Sequence, residues 1–237
     1  MHDRDGFRWH DGDRVIRFGR GALADAGELL GQGYVLLTTP RGAGAAPQLL
    51  DAARERHDVP AGRVDDVAAA LRERLDGPGD ALLVALGGGR VVDVAKALCA
   101  AGHGRAVAAV PTTLSAAEMT GTYRPIAGVE FRPVRPAVVV NDPSLSASQP
   151  DDGLAASAAN AFAHAVEGPM TVRASPVPTL AGQEAARLIA AAWADPGAPD
   201  RDGLALGALL SGYAIDSAGY GLHHIAAQTL VRQGGVG

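Results

Sequence analysis

The chain has 237 residues, 47% of them hydrophobic, and its 21 basic and 26 acidic groups leave a formal net charge of −5. That is enough apolar material for one or two packed domains. The charges are interspersed, with no Lys/Arg tract and no aromatic ladder, which excludes a nucleic-acid surface, and no apolar run approaches the ~18 residues that span a bilayer.

The first half alternates strand and helix, after an acidic, polar opening (MHDRDGFRWHDGD) unlike a secretory signal. RVIRFG (14–19) predicts a short strand, GALADAGELLG (21–31) a helix, and YVLLTT (34–39) an apolar strand stopped by Pro40. A helix is expected over 46–57 through Leu49, Leu50 and Ala53, and another over 64–76 with a stripe of Val64, Val67, Leu71 and Leu75. After Gly77-Pro78-Gly79 comes ALLVAL (81–86), continuously apolar as in a strand covered on both faces. Gly87-Gly88-Gly89 then opens a helix over 90–101, and AVAAV (106–110) is a further buried strand ending at Pro111. The rhythm fades over 122–150, where AVVVNDP (137–143) reads as strand and turn and Gln149-Pro150 as a boundary. Three Ala-rich helices are expected beyond it, at 152–168, 177–193 and 203–230, before the chain ends in VRQGGVG without a closing element. The expected architecture is α/β: a Rossmann-like dinucleotide-binding domain over 1–150, then an all-helical domain over 151–237 that is cut short.

The glycine turn supplies main-chain N–H groups at a helix start, which suits a pyrophosphate, although it lacks the GxGxxG spacing and serves equally as a tight structural connection. Behind it stands the chain's single lysine, Lys96, one turn from Asp93. The two are either a solvated i,i+3 pair or, for Asp93, a helix cap or the partner of a ligand hydroxyl. Pro111-Thr112-Thr113 either satisfies a turn or donates to a nicotinamide or ribose, with Glu118 holding the loop. Thr38-Thr39-Pro40-Arg41 ends the second strand, where an adenosine ribose commonly lies; an acidic residue there would indicate NAD, and Arg41 leaves NAD and NADP both open.

Asn160 and His164 share a helix face, either as a hydrogen-bonded core pair or as a site, with Glu167 on a neighbouring face. Of the adjacent His223 and His224, at most one points into a shared cleft. Two histidines and an uncharged amide make a poor metal site, so no metal is expected. Cys99, the single cysteine, lies on an apolar helix face, excludes an intrachain disulfide and fits the reducing cytoplasm.

Taken together, TTPR (38–41), GGGRVVDVAKAL (87–98), PTTLSAAEMTG (111–121), NDPSL (141–145), NAFAHAVEG (160–168) and GLHHIAAQTL (221–230) resemble the iron-containing (group III) alcohol dehydrogenase superfamily, and more closely its maleylacetate reductase branch. The resemblance implies an active site in the cleft between a dinucleotide-binding and a helical domain. Gly87, Gly88, Gly89 and Asp93 would surround the cofactor phosphates and ribose, and Thr112, Thr113 and Leu114 would approach from the next loop. Metal-dependent members carry an aspartate and a histidine where this chain has Asn160 and His164, a third ligand at the place of His224, and a fourth histidine further downstream. Asn160 is characteristic of the branch regarded as working without metal. Arg90 departs from the usual serine after the glycines, and Gln228 from a histidine associated with proton transfer. The implied function is NAD(P)H-dependent reduction of a maleylacetate-like conjugated keto acid in aromatic-compound catabolism, with His164, His224 and Asn160 at the reacting centre and the two histidines orienting the substrate and delivering the proton. Arg124 is a candidate for binding the carboxylate substrate, and a homodimer is implied. Two alternatives stand beside it: an alcohol dehydrogenase or carbonyl reductase, metal-dependent or of altered specificity, and a catalytically inert dinucleotide-binding remnant.

Overall fold

Alternation along the central strands decides the architecture. Val35, Leu37, Leu83, Ala85, Val107 and Ala109 are buried on one face, and Leu36, Val84, Leu86, Ala108 and Val110 on the other. A sheet apolar on both faces must be covered on both. The computed structural model describes residues 6–75 and 79–234. The expected breaker at Gly77-Pro78 and the final three residues lie outside them.

Seven strands form one sheet: β1 (Phe7–Asp11), β2 (Arg14–Phe18), β3 (Tyr34–Thr38), β4 (Ala53–Asp58), β5 (Leu82–Gly87), β6 (Ala106–Pro111) and β7 (Val138–Asn141). Their order is β1-β2-β7-β6-β5-β3-β4, parallel throughout except for the antiparallel β1–β2 pair. Helices α1 (Ala26–Leu30), α2 (Pro40–Ala45), α3 (Gln48–Asp51), α4 (Val64–Arg72) and α5 (Gly89–Ala100) connect them. α4 and α5 cover one face, α1 and α3 the other. From residue 151 the chain is helical: α6 (Asp151–Met170), α7 (Pro176–Ala192), α8 (Arg201–Ala218) and α9 (Leu222–Gly234). None of the described helices is long and apolar enough to cross a membrane.

Three expectations need correction. The helix expected over 46–57 lasts one turn as α3 and gives way to β4, whose ARERHD alternates half-buried and exposed positions. Charged side chains suit that edge position, because they discourage pairing with another chain. FRWHD, read only as part of a polar start, forms β1 through a hairpin in which Gly12 takes φ 58°. The helix expected over 203–230 is two, broken where Gly219 adopts φ 80°.

The helices pack closely because small residues allow it. A Cβ on Gly182 would lie 2.7 Å from the Ala165 carbonyl oxygen, and one on Gly207 2.6 Å from Ile189. Their apolar faces do not form a separate core. Leu154, Ala158, Ile189, Leu204 and Leu209 pack in one cluster with Ile16, Phe18 and Val139 of the sheet and Met119 of the loop after β6. Phe162, Val166 and Met170 of α6 and Leu222 and Ile225 of α9 remain exposed.

Lys96, with no exposure, and Glu118, with 1%, are ionisable groups deep inside the fold. Burial pushes the Glu118 carboxyl from 4.5 up to about 7, against the opposing pull of its own backbone bond and Lys96. Its folded form therefore holds a proton that the unfolded chain releases, and the associated stability is complete below 4.5 and lost as pH rises towards 7. Glu118→Gln is expected to remove most of that loss, at most about 3 kcal/mol, in urea unfolding compared at the two ends of this window.

Candidate active site

β3 and β5 are neighbours, yet the chain leaves β3 towards β4 on one side and runs from β5 through β6 to β7 on the other. The crevice at their C-terminal ends is therefore the switch point of an open α/β sheet, where ligands bind. Thr39 stands at one lip, where its Oγ1 accepts from the Gly42 N–H at 3.1 Å and caps α2. Thr38 Oγ1 donates to the Leu86 carbonyl at 2.8 Å and ties the two strand ends together. At the other lip Gly88 caps α5 with no side chain, which leaves the first N–H groups of the helix uncovered.

The glycines are required by contact. A Cβ on Gly87 would lie 2.6 Å from Val91, one on Gly88 3.1 Å from Thr113, and one on Gly89 2.9 Å from Ser115. The helix start thus seats directly on the loop after β6, and the Thr112 N–H donates to the Gly87 carbonyl at 3.0 Å. This bare, closely floored helix start fits an anionic group such as a dinucleotide pyrophosphate. Leu114 faces elsewhere: its side chain is buried in the core shared with the helices.

Lys96 and Asp93 are not a solvated pair. Lys96 Nζ donates to Asp93 Oδ1 at 3.0 Å, to Thr120 Oγ1 at 3.4 Å and to the Thr122 carbonyl at 3.2 Å. Asp93 itself borders the cleft, and burial raises its carboxyl against the opposing charge of Lys96. The same loop is fastened to the helical region where the Gly121 N–H donates to Asp216 at 2.8 Å, and Arg14 donates to the Met119 carbonyl at 2.9 Å. Ala116, at φ 61°, is held in the left-handed region against α8, where a Cβ on Gly212 would come within 2.9 Å of its own.

Between these elements opens a cleft of about 790 Å³. Arg90, Asp93 and Ser115 border it from the sheet side, and Asn160, His164, Tyr220 and His224 from the helices. Thr39, Thr112 and the glycines lie at the adjoining sheet edge instead. Asn160 Nδ2 is 3.4 Å from His164 Nε2. The His164 ring stacks on His224 with centroids 4.7 Å apart, and Tyr220 lies 4.4 Å from His224 on another side. His223 points out and is exposed, so one of the adjacent pair reaches the cleft. The Gln228 side chain lies outside the described set.

Glu167, 7% exposed, accepts from His224 Nδ1 and, at 3.2 Å, from the His224 backbone N–H. Burial works to raise its carboxyl, but the bonds from His224 and Gly221 hold it below the ordinary value. The anion therefore fixes the His224 ring, and Nε2 is the nitrogen left for a ligand. His164 is the opposite case: burial, then His224, push its pKa down to about 3, and its buried Nδ1 has no hydrogen-bond partner among the described residues. It is a neutral imidazole at any physiological pH. Sequence reading missed Tyr220 and the Glu167–His224 pairing; the glycines on either side of Tyr220 were the available signal for the first.

No protein-family model matches the chain. Maleylacetate reductase of Sphingobium indicum is 35% identical over 243 residues, which cover 92% of this chain and 66% of that protein. The crystal structure of maleylacetate reductase from Agrobacterium tumefaciens superposes with a TM-score of 0.81 at 26% identity, covering 98% of this chain and 71% of that one. An iron-containing alcohol dehydrogenase from Corynebacterium glutamicum gives 0.80 at 27%, covering 94% and 67%. The chain belongs to the iron-containing alcohol dehydrogenase superfamily. It spans about two thirds of the length of these relatives.

The donor set does not fit the metal in the superfamily's name. A tightly held divalent ion wants three or four converging ligands, and here two imidazoles meet an uncharged amide. Ligand atoms of Glu167, His223 and His224 do lie within 4.8 Å of one another. That carboxylate, however, already engages His224 Nδ1, and the two rings stand at 83°. Asn160→Asp restores an anion beside His164 and His224, and calorimetric titration with Zn²⁺ is expected to give at least ~10-fold tighter binding than the wild type, about 1.4 kcal/mol.

Proposed function

We propose that this chain is an NAD(P)H-dependent reductase of the carbon–carbon double bond in a conjugated keto acid of the maleylacetate kind, giving a 3-oxoadipate-like product in the cytoplasm. In this reading residues 1–150 bind the cofactor and 151–237 help to enclose the substrate. One observation carries it: a single cleft joins the start of α5 to Asn160, His164 and His224. The relatives named maleylacetate reductase support the choice of substrate.

Bound NAD(P)H supplies a hydride to the alkene carbon furthest from the ketone. Gly87, Gly88 and Gly89 hold the pyrophosphate at the uncovered N–H groups of α5, and Asp93 meets the adjoining ribose. Thr112 and Thr113 approach the nicotinamide, and Thr39 the adenosine ribose. Reduction leaves negative charge on the ketone oxygen, and groups aimed at that oxygen lower the barrier. His224, with Nδ1 bonded to the Glu167 carboxylate, donates to that oxygen from Nε2–H as the imidazolium, for which Glu167 is the counter-charge. Neutral His164 and Asn160 hold the substrate through uncharged hydrogen bonds. Arg63, Arg90 and Arg124 border the same cleft and provide planar cations for the carboxylates.

A simple aldehyde or ketone has no conjugated alkene to accept hydride and would need a Lewis acid that this donor set holds poorly. The 237-residue chain is therefore expected to oxidise NADH or NADPH with maleylacetate, to be inactive with simple aldehydes, and to keep its rate after treatment with a chelator. Loss of the rate on chelation would favour the metal-dependent reading, and no oxidation of either cofactor would sink the proposal. His224→Ala is expected to lower kcat/KM by ~10²–10³-fold. Gly89→Val, whose side chain would meet Ser115, is expected to weaken NADH binding at least ~10-fold in a fluorescence titration.

A further inference from the structure

Adding hydride to one alkene carbon obliges a proton to reach the other, and the histidines are poorly placed to give it. His164 is buried and uncharged, His224 in the reading above directs Nε2 at the ketone oxygen and not at the carbon that takes the proton, and His223 is exposed and does not border the cleft. We propose that Tyr220 is the catalytic acid of this site, and that Thr120, Lys96 and Asp93 form the relay that restores its proton. The inference rests on the reductase reading above.

The backbone presents this side chain deliberately. Tyr220 occupies the break between α8 and α9, with Gly219 at φ 80° on one side. On the other, Gly221 sits so close to α6 that a Cβ would lie 3.0 Å from Glu167. The phenol is thereby set beside His224 and in the cleft that Asp93 and His164 also border. Thr120 and Thr122 border the same cleft, and both act on the phenol in the direction that favours its ionisation.

That choice of partner separates it from two of the other tyrosines. Tyr34 and Tyr123 donate to the main-chain carbonyls of Leu49 at 2.6 Å and Arg132 at 2.8 Å, which cannot return a proton. Thr120 can. Its Oγ1 accepts from Lys96 Nζ at 3.4 Å, and the same ammonium bonds Asp93, which borders the open cleft. Burial raises the Tyr220 phenol more than its threonine partners lower it, so it carries its proton at neutral pH.

The step balances. Hydride forms a C–H bond at the distal alkene carbon, and the π pair moves through the neighbouring carbon to the ketone oxygen as an enolate. When the carbonyl re-forms, that neighbouring carbon takes the Tyr220 proton. The phenolate takes a proton from the Thr120 hydroxyl as Thr120 receives one from Lys96, and Asp93 returns a solvent proton to the amine. One hydride and one proton have been added.

The test compares wild type, Tyr220→Phe and Thr120→Val with maleylacetate and NADH in D₂O, following rate by absorbance and deuterium in the product by NMR. Tyr220→Phe is expected to lower kcat at least ~100-fold with little change in KM. Deuterium next to the ketone, confined to one face by the wild type, is expected to be scrambled by the variant. Thr120→Val is expected to fall between the two while binding NADH normally. A Tyr220→Phe chain with kcat within about twofold of wild type and one-face labelling overturns the proposal and leaves the reductase reading intact. A wild-type chain that oxidises no cofactor overturns that reading, and this inference with it.

Discussion

A buried ammonium organises the site. Removing a lysine from water costs several kcal/mol, and only close, well-aimed partners offset it. Lys96 has no exposure, and its partners come from Asp93 in the preceding turn of α5 and from Thr120 and Thr122, more than twenty residues on. Satisfying it therefore fixes the helix whose start is the proposed phosphate cradle against the loop that floors the cleft. Gly121 and Asp216 carry the registration on to α8. Elsewhere the chain uses arginine for all twenty other basic side chains. A guanidinium is a broad planar fork, whereas these three acceptors converge on a compact point charge, which is what an ammonium offers.

Close backbone approach does the rest of the positioning. Gly88 and Gly89 rest on Thr113 and Ser115, and Gly212 of α8 rests on Ala116 of the same loop. The loop after β6 is held between the cofactor edge and the helical region with no room for a side chain on either side. This explains why the two regions share a core through Met119, Ile16 and Val139 instead of meeting at a polar seam. The cleft is the space that this sandwiching leaves open, and its chemistry is set by what α6 and α9 project into it.

What the sequence made legible follows from the range of the interactions. β3, β5 and β6 were readable because strands buried on both faces are continuously apolar. β4 was not, because an edge strand of charged residues has no apolar run, and the leucines before it mimic a helix. The Asn160–His164 pair declared itself through i,i+4 spacing. Its electrostatic setting did not, since Glu167 and His224 are 57 residues apart in sequence. Tyr220 was hidden by reading 203–230 as one helix; an Ala-rich pattern tolerates an isolated glycine, and only the positive φ of Gly219 shows that the chain turns there. The partners of Lys96 were invisible for the same reason, because local spacing links it only to Asp93.

Asn160 ties these features to the proposed chemistry. With an amide in place of a carboxylate at position 160, the pull of Glu167 does not offset burial and His224, and the low pKa of His164 keeps its ring uncharged. Among the described residues the only carboxylate bonded to a histidine of the cleft is Glu167, and it acts on the far nitrogen of His224, where it orients the ring without neutralising the cleft. The net electrostatics facing a substrate then come from Arg90 and Arg124, with Arg63 already paired to Asp65 and Asp66, against Asp93, whose charge is shared with Lys96. Such a cavity favours a dianion over a neutral carbonyl compound. It also favours a substrate whose own conjugation spreads the arriving charge, because two imidazoles and an amide are a poor seat for the metal charge that a localised alkoxide needs. The same reasoning moves the proton donor away from the imidazoles and onto a neutral acid linked to a buried ammonium. In the proposed reaction, the structural cost of Lys96 and the catalytic work of Tyr220 are two aspects of one hydrogen-bonded chain.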